Sequence, residues 1–208
     1  MAVMTFAAID IGSYEVSMKI FEMSKRIGFR ELNDVRYSLE IGKGVYSDGK
    51  IDSEMLNVLC EVLNDFKRLM QDFGVEEYRA CGTSAFRELV NPLLIIEQIY
   101  QRTGMKIEIL SSAEQHFLDK DALVTTQGLK MGSLRIRQRL HELEKTTIHY
   151  DKLVEEFIRN DLMSFQRLYL KDKEIRNVIL MGDFITDMIF QEEMEDRIIT
   201  REEFMKRY

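Results

Sequence analysis

The chain has 208 residues and a mass of 24.6 kDa, which at roughly 150 residues per domain is one large domain or two small ones. Hydrophobic residues make up 45% and charged residues 31%, with a single proline and 11 glycines, a composition that excludes disordered and fibrous classes. Lys and Arg number 29 against 36 Asp and Glu, a net charge of −7, so duplex nucleic acid is excluded as a partner and any polyanion needs a local basic site.

Met4 to Ile11 is apolar and rich in small and β-branched residues, which predicts a strand buried on both faces. It stops at Asp10-Ile11-Gly12-Ser13. Val16, Met18, Ile20 and Met23, then Phe29 and Leu32, then Val35, Tyr37, Leu39 and Ile41, alternate with polar residues. Three consecutive strands joined as hairpins follow. Gly42 to Lys50 is punctuated by glycine and reads as a loop, after which Asp52 or Ser53 can cap a helix. In that helix Met55, Leu59, Val62, Phe66, Leu69 and Phe73 recur at three and four, and Gly74 ends it. Tyr78 to Gly82 is a short strand. Asn91-Pro92 opens a helix with a capping side chain and a proline at the first position, running to about Arg102, and Ile107 to Leu110 is a further strand. Strands separated by helices require parallel crossovers, so the class is α/β. Farther on, Asp121 to Leu129 and Asn177 to Met181 read as strands, and Ser133 to Leu143 and Tyr150 to Phe165 as amphipathic helices. Thr200 and Glu203 form a capping box.

Chemistry gathers behind the strands. In Asp10-Ile11-Gly12-Ser13, glycine lets the backbone turn tightly so that amides face a phosphate oxygen, serine adds a donor, and aspartate suits a hydrated divalent cation. A plain hairpin turn capped by Asp10 is the ordinary alternative. Gly82-Thr83-Ser84-Ala85-Phe86-Arg87 offers two hydroxyls and a forked guanidinium that matches phosphate geometry, or simply a capped turn beside a surface arginine. Ser111 to Glu114 places a carboxylate at a strand's carboxyl end, where it either favours a helix dipole or activates a water for attack on a phosphoryl group. Lys130 to Arg139 holds four cations and no acid, either a track for a polyanion or a solvated face paired with Glu142 and Glu144. His116, His141 and His149 lack ligand spacing, and the two cysteines, Cys60 and Cys81, make neither a zinc cage nor a disulfide framework. No leader is evident and no apolar run approaches the ~20 residues of a membrane helix. A cytoplasmic protein with no membrane partner is expected.

Phe6-Ala7-Ala8-Ile9-Asp10-Ile11-Gly12-Ser13, Leu39 to Val45 with the Gly49-Lys50-Ile51 turn, Gly82 to Glu88 with Asn91, and Ile107 to Glu114 together resemble the Ppx/GppA phosphatases, the exopolyphosphatases and guanosine pentaphosphate phosphohydrolases. Leu129 to Leu140, with Gly132 and Arg135, resembles the family's second domain. Asn177 to Asp187 resembles its nucleotide-side glycine loop, with Asp183 where a second glycine is usual. The resemblance implies the two-domain, RNase H-like fold of the acetate and sugar kinases, heat-shock chaperones and actin, with domains at 1–117 and 118–208 and a site in the cleft between them. It makes Asp10, Gly12, Ser13 and Tyr14 the first phosphate loop, Thr83, Ser84 and Arg87 the second set of phosphate contacts, Asp10 a ligand of Mg2+, and Glu114 the general base. Magnesium would neutralise charge on the phosphate oxygens.

Two departures stand out. Glu15 adds negative charge where phosphate should bind, and the family's Asp-x-Gly-Gly-Gly-Ser loop is absent, since His116 to Asp121 runs straight into the next strand-like segment. Losing a central strand orphans backbone groups. A segment closed up in the numbering between about Glu114 and Asp121, and an intact mass above 24.6 kDa, are therefore expected. The chain ends at Tyr208, inside or just before a helix that continues in the family. The leading expectation is an exopolyphosphatase that hydrolyses the terminal phosphate of polyphosphate, favoured over guanosine pentaphosphate by the basic stretch, and a homodimer is compatible with it. A silent phosphate or nucleotide sensor, and a purely structural partner protein, are the competing readings.

Overall fold

The structure, a computed structural model, describes residues 3–24, 28–111, 129, 131–144, 149–171 and 200–207. Two short connections close hairpins at the start of the chain. β1 (Met4–Ile11) pairs antiparallel with β2 (Glu15–Ser24), Ile11 opposite Val16, and β2 pairs antiparallel with β3 (Gly28–Ser38). A bulge interrupts the second pairing: Ile20 faces Asn33, whereas Phe21 faces Glu31. The chain then leaves the sheet through α1 (Gly42–Asp48) and α2 (Ser53–Asp72) and returns as β4 (Glu77–Gly82), parallel beside β1. A second crossover, α3 (Ser84–Glu88) and α4 (Pro92–Thr103), delivers β5 (Ile107–Ile109) parallel beside β4. The sheet order is β3-β2-β1-β4-β5, so the first strand is the central one.

One buried cluster joins the sheet to both long helices. Ala7, Ile9 and Ile11 of β1, Val16, Met18 and Ile20 of β2 and Ala80 of β4 meet Leu59, Leu63 and Phe66 of α2 and Ile99 of α4. Asp52 caps α2 by accepting the Met55 N–H at 2.7 Å, and the Tyr37 and Phe66 rings meet with centroids 5.7 Å apart. The stripe of α2 lies slightly round from the expected one: Leu56, Cys60, Leu63 and Met70 are buried along with Leu59, Val62 and Phe66, whereas Phe73, at the helix end, is exposed.

Three expectations need correction. β1 is buried on one face only, because both long helices join the same cluster and Ala8 and Asp10 point away from it, exposed. Most of the expected loop at 42–50 is α1, which is too short to display an apolar period. It ends where the Gly49 N–H, at φ 67°, donates to the Val45 carbonyl. Asn91 gives α4 no side-chain cap, and Pro92 alone marks its start.

Farther on, α5 (Ser133–Glu144) buries Leu134, Ile136 and Leu140. α6 (Tyr150–Phe165) is amphipathic but has no buried residue, its Leu153, Val154, Phe157 and Ile158 being half-buried. A π-helical turn, Gln166–Leu170, follows α6. α7 (Arg201–Arg207) carries the expected capping box: the Thr200 N–H donates to Glu203 Oε2 at 2.8 Å and the Glu203 N–H to Thr200 Oγ1 at 3.2 Å. The chain divides into two compact units, Met1–Asp161 and Leu162–Tyr208. The expected boundary at 117/118 and the strand-like segments at 121–129, apart from Leu129, and 177–181 lie outside the described residues. The sequence itself is continuous, so no segment is closed up between Glu114 and Asp121, and the Asp-x-Gly-Gly-Gly-Ser loop is missing from it. Among the described residues no helix is long and apolar enough to cross a membrane.

The placement of α2 makes a prediction. Phe66→Ala removes a fully buried ring and should cost about 3–5 kcal/mol in denaturant unfolding, whereas Phe73→Ala, at the exposed helix end, should cost less than about 1 kcal/mol.

Candidate functional site

Parallel pairing aligns three strand ends. Ile11 lies opposite Gly82, and Gly82 opposite Ile109, so the segments that follow β1, β4 and β5 leave from one edge of the sheet, where ligands of α/β sheets collect.

The first of these segments is a tight turn. The Gly12 N–H donates to the Glu15 carbonyl at 2.9 Å, and a Cβ at position 12 would lie 2.8 Å from that oxygen, so only glycine closes the turn without displacing backbone. The carbonyls of the turn are held from below: Ser13 accepts from the Gly42 N–H at 2.7 Å, and Tyr14 from the Leu39 and Glu40 N–H groups at 3.0 and 2.9 Å. The N–H groups of Ser13 and Tyr14 have no acceptor among the described residues. Two consecutive amides with no partner among the described residues, beside a serine hydroxyl, are donors open to an anion. The Tyr14 ring is exposed and takes part in the turn only through its backbone.

The second segment is bolted to the first. The Thr83 N–H donates to the Ile11 carbonyl at 3.1 Å, and its buried hydroxyl donates to that same oxygen at 3.4 Å, with the Asp10 carboxylate within electrostatic reach. Partial desolvation of Asp10 at the sheet edge pushes its pKa above the usual carboxylate range. The Thr83 hydrogen bond lowers it, the Glu15 charge raises it and Arg87 lowers it. Asp10, Thr83, Glu15 and Arg87 are thus within electrostatic reach of one another. Arg87 Nη1 donates to the Leu110 carbonyl at 2.6 Å, which fixes the guanidinium to the end of β5. Gly82 lets the Phe86 ring close over the strand end, since a Cβ there would meet it at 2.6 Å. Glu114, the expected base, lies outside the described residues.

Two residues join the site that the sequence did not single out. Arg36 sits 3.6 Å from Glu15 and also forks onto Asp34, so the charge that looked adverse at Glu15 has a cationic neighbour. The pairing of β2 with β3 is the only signal for it. Tyr46 donates its hydroxyl to Ser84 Oγ at 3.2 Å, and it was hidden in a segment read as loop. The basic stretch is largely committed to packing: Arg135 lies 4.4 Å from the Tyr46 ring centroid, Arg139 5.4 Å from that of Phe157, and Arg137 is exposed. Lys130 is outside the described residues. A cavity of about 150 Å³ between α1 and α5 is lined by Val45, Tyr46, Glu88, Arg135, Gln138 and Arg139. A larger one, about 380 Å³, lies between α2 and α4 and touches none of the candidate residues.

Comparison with known proteins gives the family. The model of the Ppx/GppA phosphatase family matches residues 20–136, more than half of the chain. The chain belongs to the Ppx/GppA phosphatase family. Exopolyphosphatase 1 of Mycobacterium leprae is 21% identical over 112 residues, covering 54% of this chain and 33% of that protein. Retrograde regulation protein 2 of Saccharomyces cerevisiae is 28% identical over 116 residues, covering 51% and 20%. Among solved structures, the Ppx/GppA family member of Aquifex aeolicus superposes with a TM-score of 0.52 at 25% identity, over 55% of this chain and 37% of that one. The chain matches about a third of the length of the first exopolyphosphatases, 33% to 38%. The five-stranded α/β sheet is that of this family, and with it of the actin-like fold expected from the resemblance.

The raised pKa of Asp10 fixes a pH dependence. Its folded value lies above its unfolded one, so the folded state holds the proton more tightly, and stability falls as pH rises through the folded value. Asp10→Asn, which keeps an acceptor for Thr83 and removes the charge, should therefore be at least as stable as the parent at pH 7 in chelator. That advantage should shrink as pH is lowered through the raised folded value toward 3.8 and be gone below it, read by urea unfolding across the range.

Proposed function

We propose that this chain is a phosphohydrolase of the exopolyphosphatase type, releasing orthophosphate from the end of a linear polyphosphate. The observation that carries the reading is the junction of the Gly12–Tyr14 turn, with two amides that have no partner among the described residues, and the Thr83–Arg87 segment, joined through the Ile11 carbonyl. A terminal phosphate takes hydrogen bonds from the Ser13 and Tyr14 amides and the Ser13 hydroxyl on one side, and from Ser84 and the Arg87 fork on the other. The exopolyphosphatases among its relatives support the substrate class.

Catalysis of this kind is mostly positioning and charge stabilisation. Arg87, held by the Leu110 carbonyl, is aimed before substrate arrives. No group of three metal-ligating side chains exists among the described residues. Magnesium held by one or two carboxylates and by the phosphates of the substrate does fit, with Asp10 and Glu15 as the donors. When bound, it neutralises charge building on the phosphoryl oxygens. By resemblance, Glu114 takes the proton of the attacking water.

A second reading, a sensor that binds phosphate without turning it over, is favoured by the missing Asp-x-Gly-Gly-Gly-Ser loop and by Glu15, and one relative bears the name of a regulatory protein. Orthophosphate release from long-chain polyphosphate, and from guanosine pentaphosphate in parallel, decides between them when measured with magnesium. The expected result is release that Arg87→Ala lowers by about 10²-fold or more and that Glu114→Gln abolishes while binding survives. Binding without release moves the protein to the sensor reading, and absence of both overturns each.

A further inference from the structure

A second set of side chains grips the Thr83–Arg87 segment from the side of α1 and α5. Arg135 stands in the first turn of α5, where a cation opposes the helix dipole, and its side chain is only 15% exposed. Its partners account for the placement: the guanidinium lies 4.4 Å from the Tyr46 ring centroid, and Nη2 is 3.4 Å from Glu88 Oε1. Tyr46 passes the contact on, its hydroxyl donating to Ser84 Oγ at 3.2 Å. The same ring closes against the first turn, because a Cβ at Gly42 would lie 2.8 Å from Tyr46 Cε2 and 3.0 Å from Ser13 Cβ. Arg135 therefore holds both ends of the short helix α3: Ser84 through Tyr46, and Glu88 directly.

We infer that Arg135 and Tyr46 form a relay that sets the position of Ser84, making both of them positioning residues for phosphate binding. The relay links the docking of α5 on α1 to the second phosphate-facing segment, and its consequence for substrate rests on the phosphate-site reading above. Tyr46 supplies the direction, since its ring is held by the cation on one side and its hydroxyl reaches the serine. With the cation gone the ring is free to turn, and the hydrogen bond to Ser84 loses its alignment.

Amide hydrogen exchange reads the relay without any ligand. Tyr46→Phe removes only the hydroxyl, and Arg135→Met keeps the apolar stem. Each should speed exchange of the Arg87 amide, which bonds the Thr83 carbonyl at 3.1 Å, by about fivefold, while α2 stays unchanged and Arg135→Lys recovers part of the protection. Unchanged exchange at Arg87 in both variants overturns the relay. Titration with tripolyphosphate then tests the consequence for binding. Affinity should fall about fivefold in each variant and no further in the double variant, with KM rising and kcat held in any turnover. Full affinity in Tyr46→Phe, or losses that simply add, would mean that Arg135 only anchors α5, and the inference fails. A parent chain that ignores tripolyphosphate defeats the phosphate-site reading instead, a result distinct from the exchange outcome.

Discussion

Parallel pairing of β1 with β4 is the constraint on which the rest of this molecule depends. It sets Ile11 opposite Gly82, which lets one carbonyl, that of Ile11, take both the N–H of Thr83 and its buried hydroxyl. Had β4 paired on the other side of the sheet, the Asp10 turn and the Arg87 segment would each be an ordinary surface loop. Pairing of this kind comes at the cost of a long crossover, and α2 provides it by burying Leu59, Leu63 and Phe66 against the strands it spans. The stability of the site's frame and the packing of α2 are therefore one quantity.

Electrostatics at the strand ends are a balance between groups of both signs. Asp10 and Glu15 repel, and desolvation raises the cost of ionising Asp10, while Thr83 and Arg87 offset part of it. Arg36 approaches Glu15 from β3, which makes the third strand, remote in sequence from any phosphate loop, part of the charge balance. The acidic chain is compatible with the proposed phosphate ligand because its proposed donors are amides and hydroxyls of two turns together with the Arg87 guanidinium.

Much of the frame was legible along the chain. The period of two in β2, the period of three and four in α2, Asp52 as a cap and the Thr200–Glu203 box are local signals, and local physics made them. The readings that failed did so for reasons outside their own segments. β1 looked wholly buried because its composition is apolar, and nothing local reveals that α2 and α4 join one cluster on the same face. α1 looked like a loop because Gly42 and Gly44 are poor helix formers, yet Gly42 is required where the Tyr46 ring meets Ser13. Nor does the chain reveal that Arg135 and Arg139, within the basic stretch from Lys130 to Arg139, lie against aromatic rings, because those partners belong to other elements.

What the sequence by itself determined is which residue types stand behind the strands: a glycine that permits the turn after β1, a serine and two hydroxyls, an arginine with its fork, and an aspartate. Residue chemistry and backbone freedom are properties of each position and need no fold to be read. What only the tertiary structure decided is which of them act together. The bonds from Thr83 to Ile11, the anchoring of Arg87 on Leu110, the approach of Arg36 to Glu15 and the hold of Arg135 on Tyr46 are all contacts between distant segments. They exist because burial of one apolar face sets the sheet order, and that order alone brings the strand ends to a common edge.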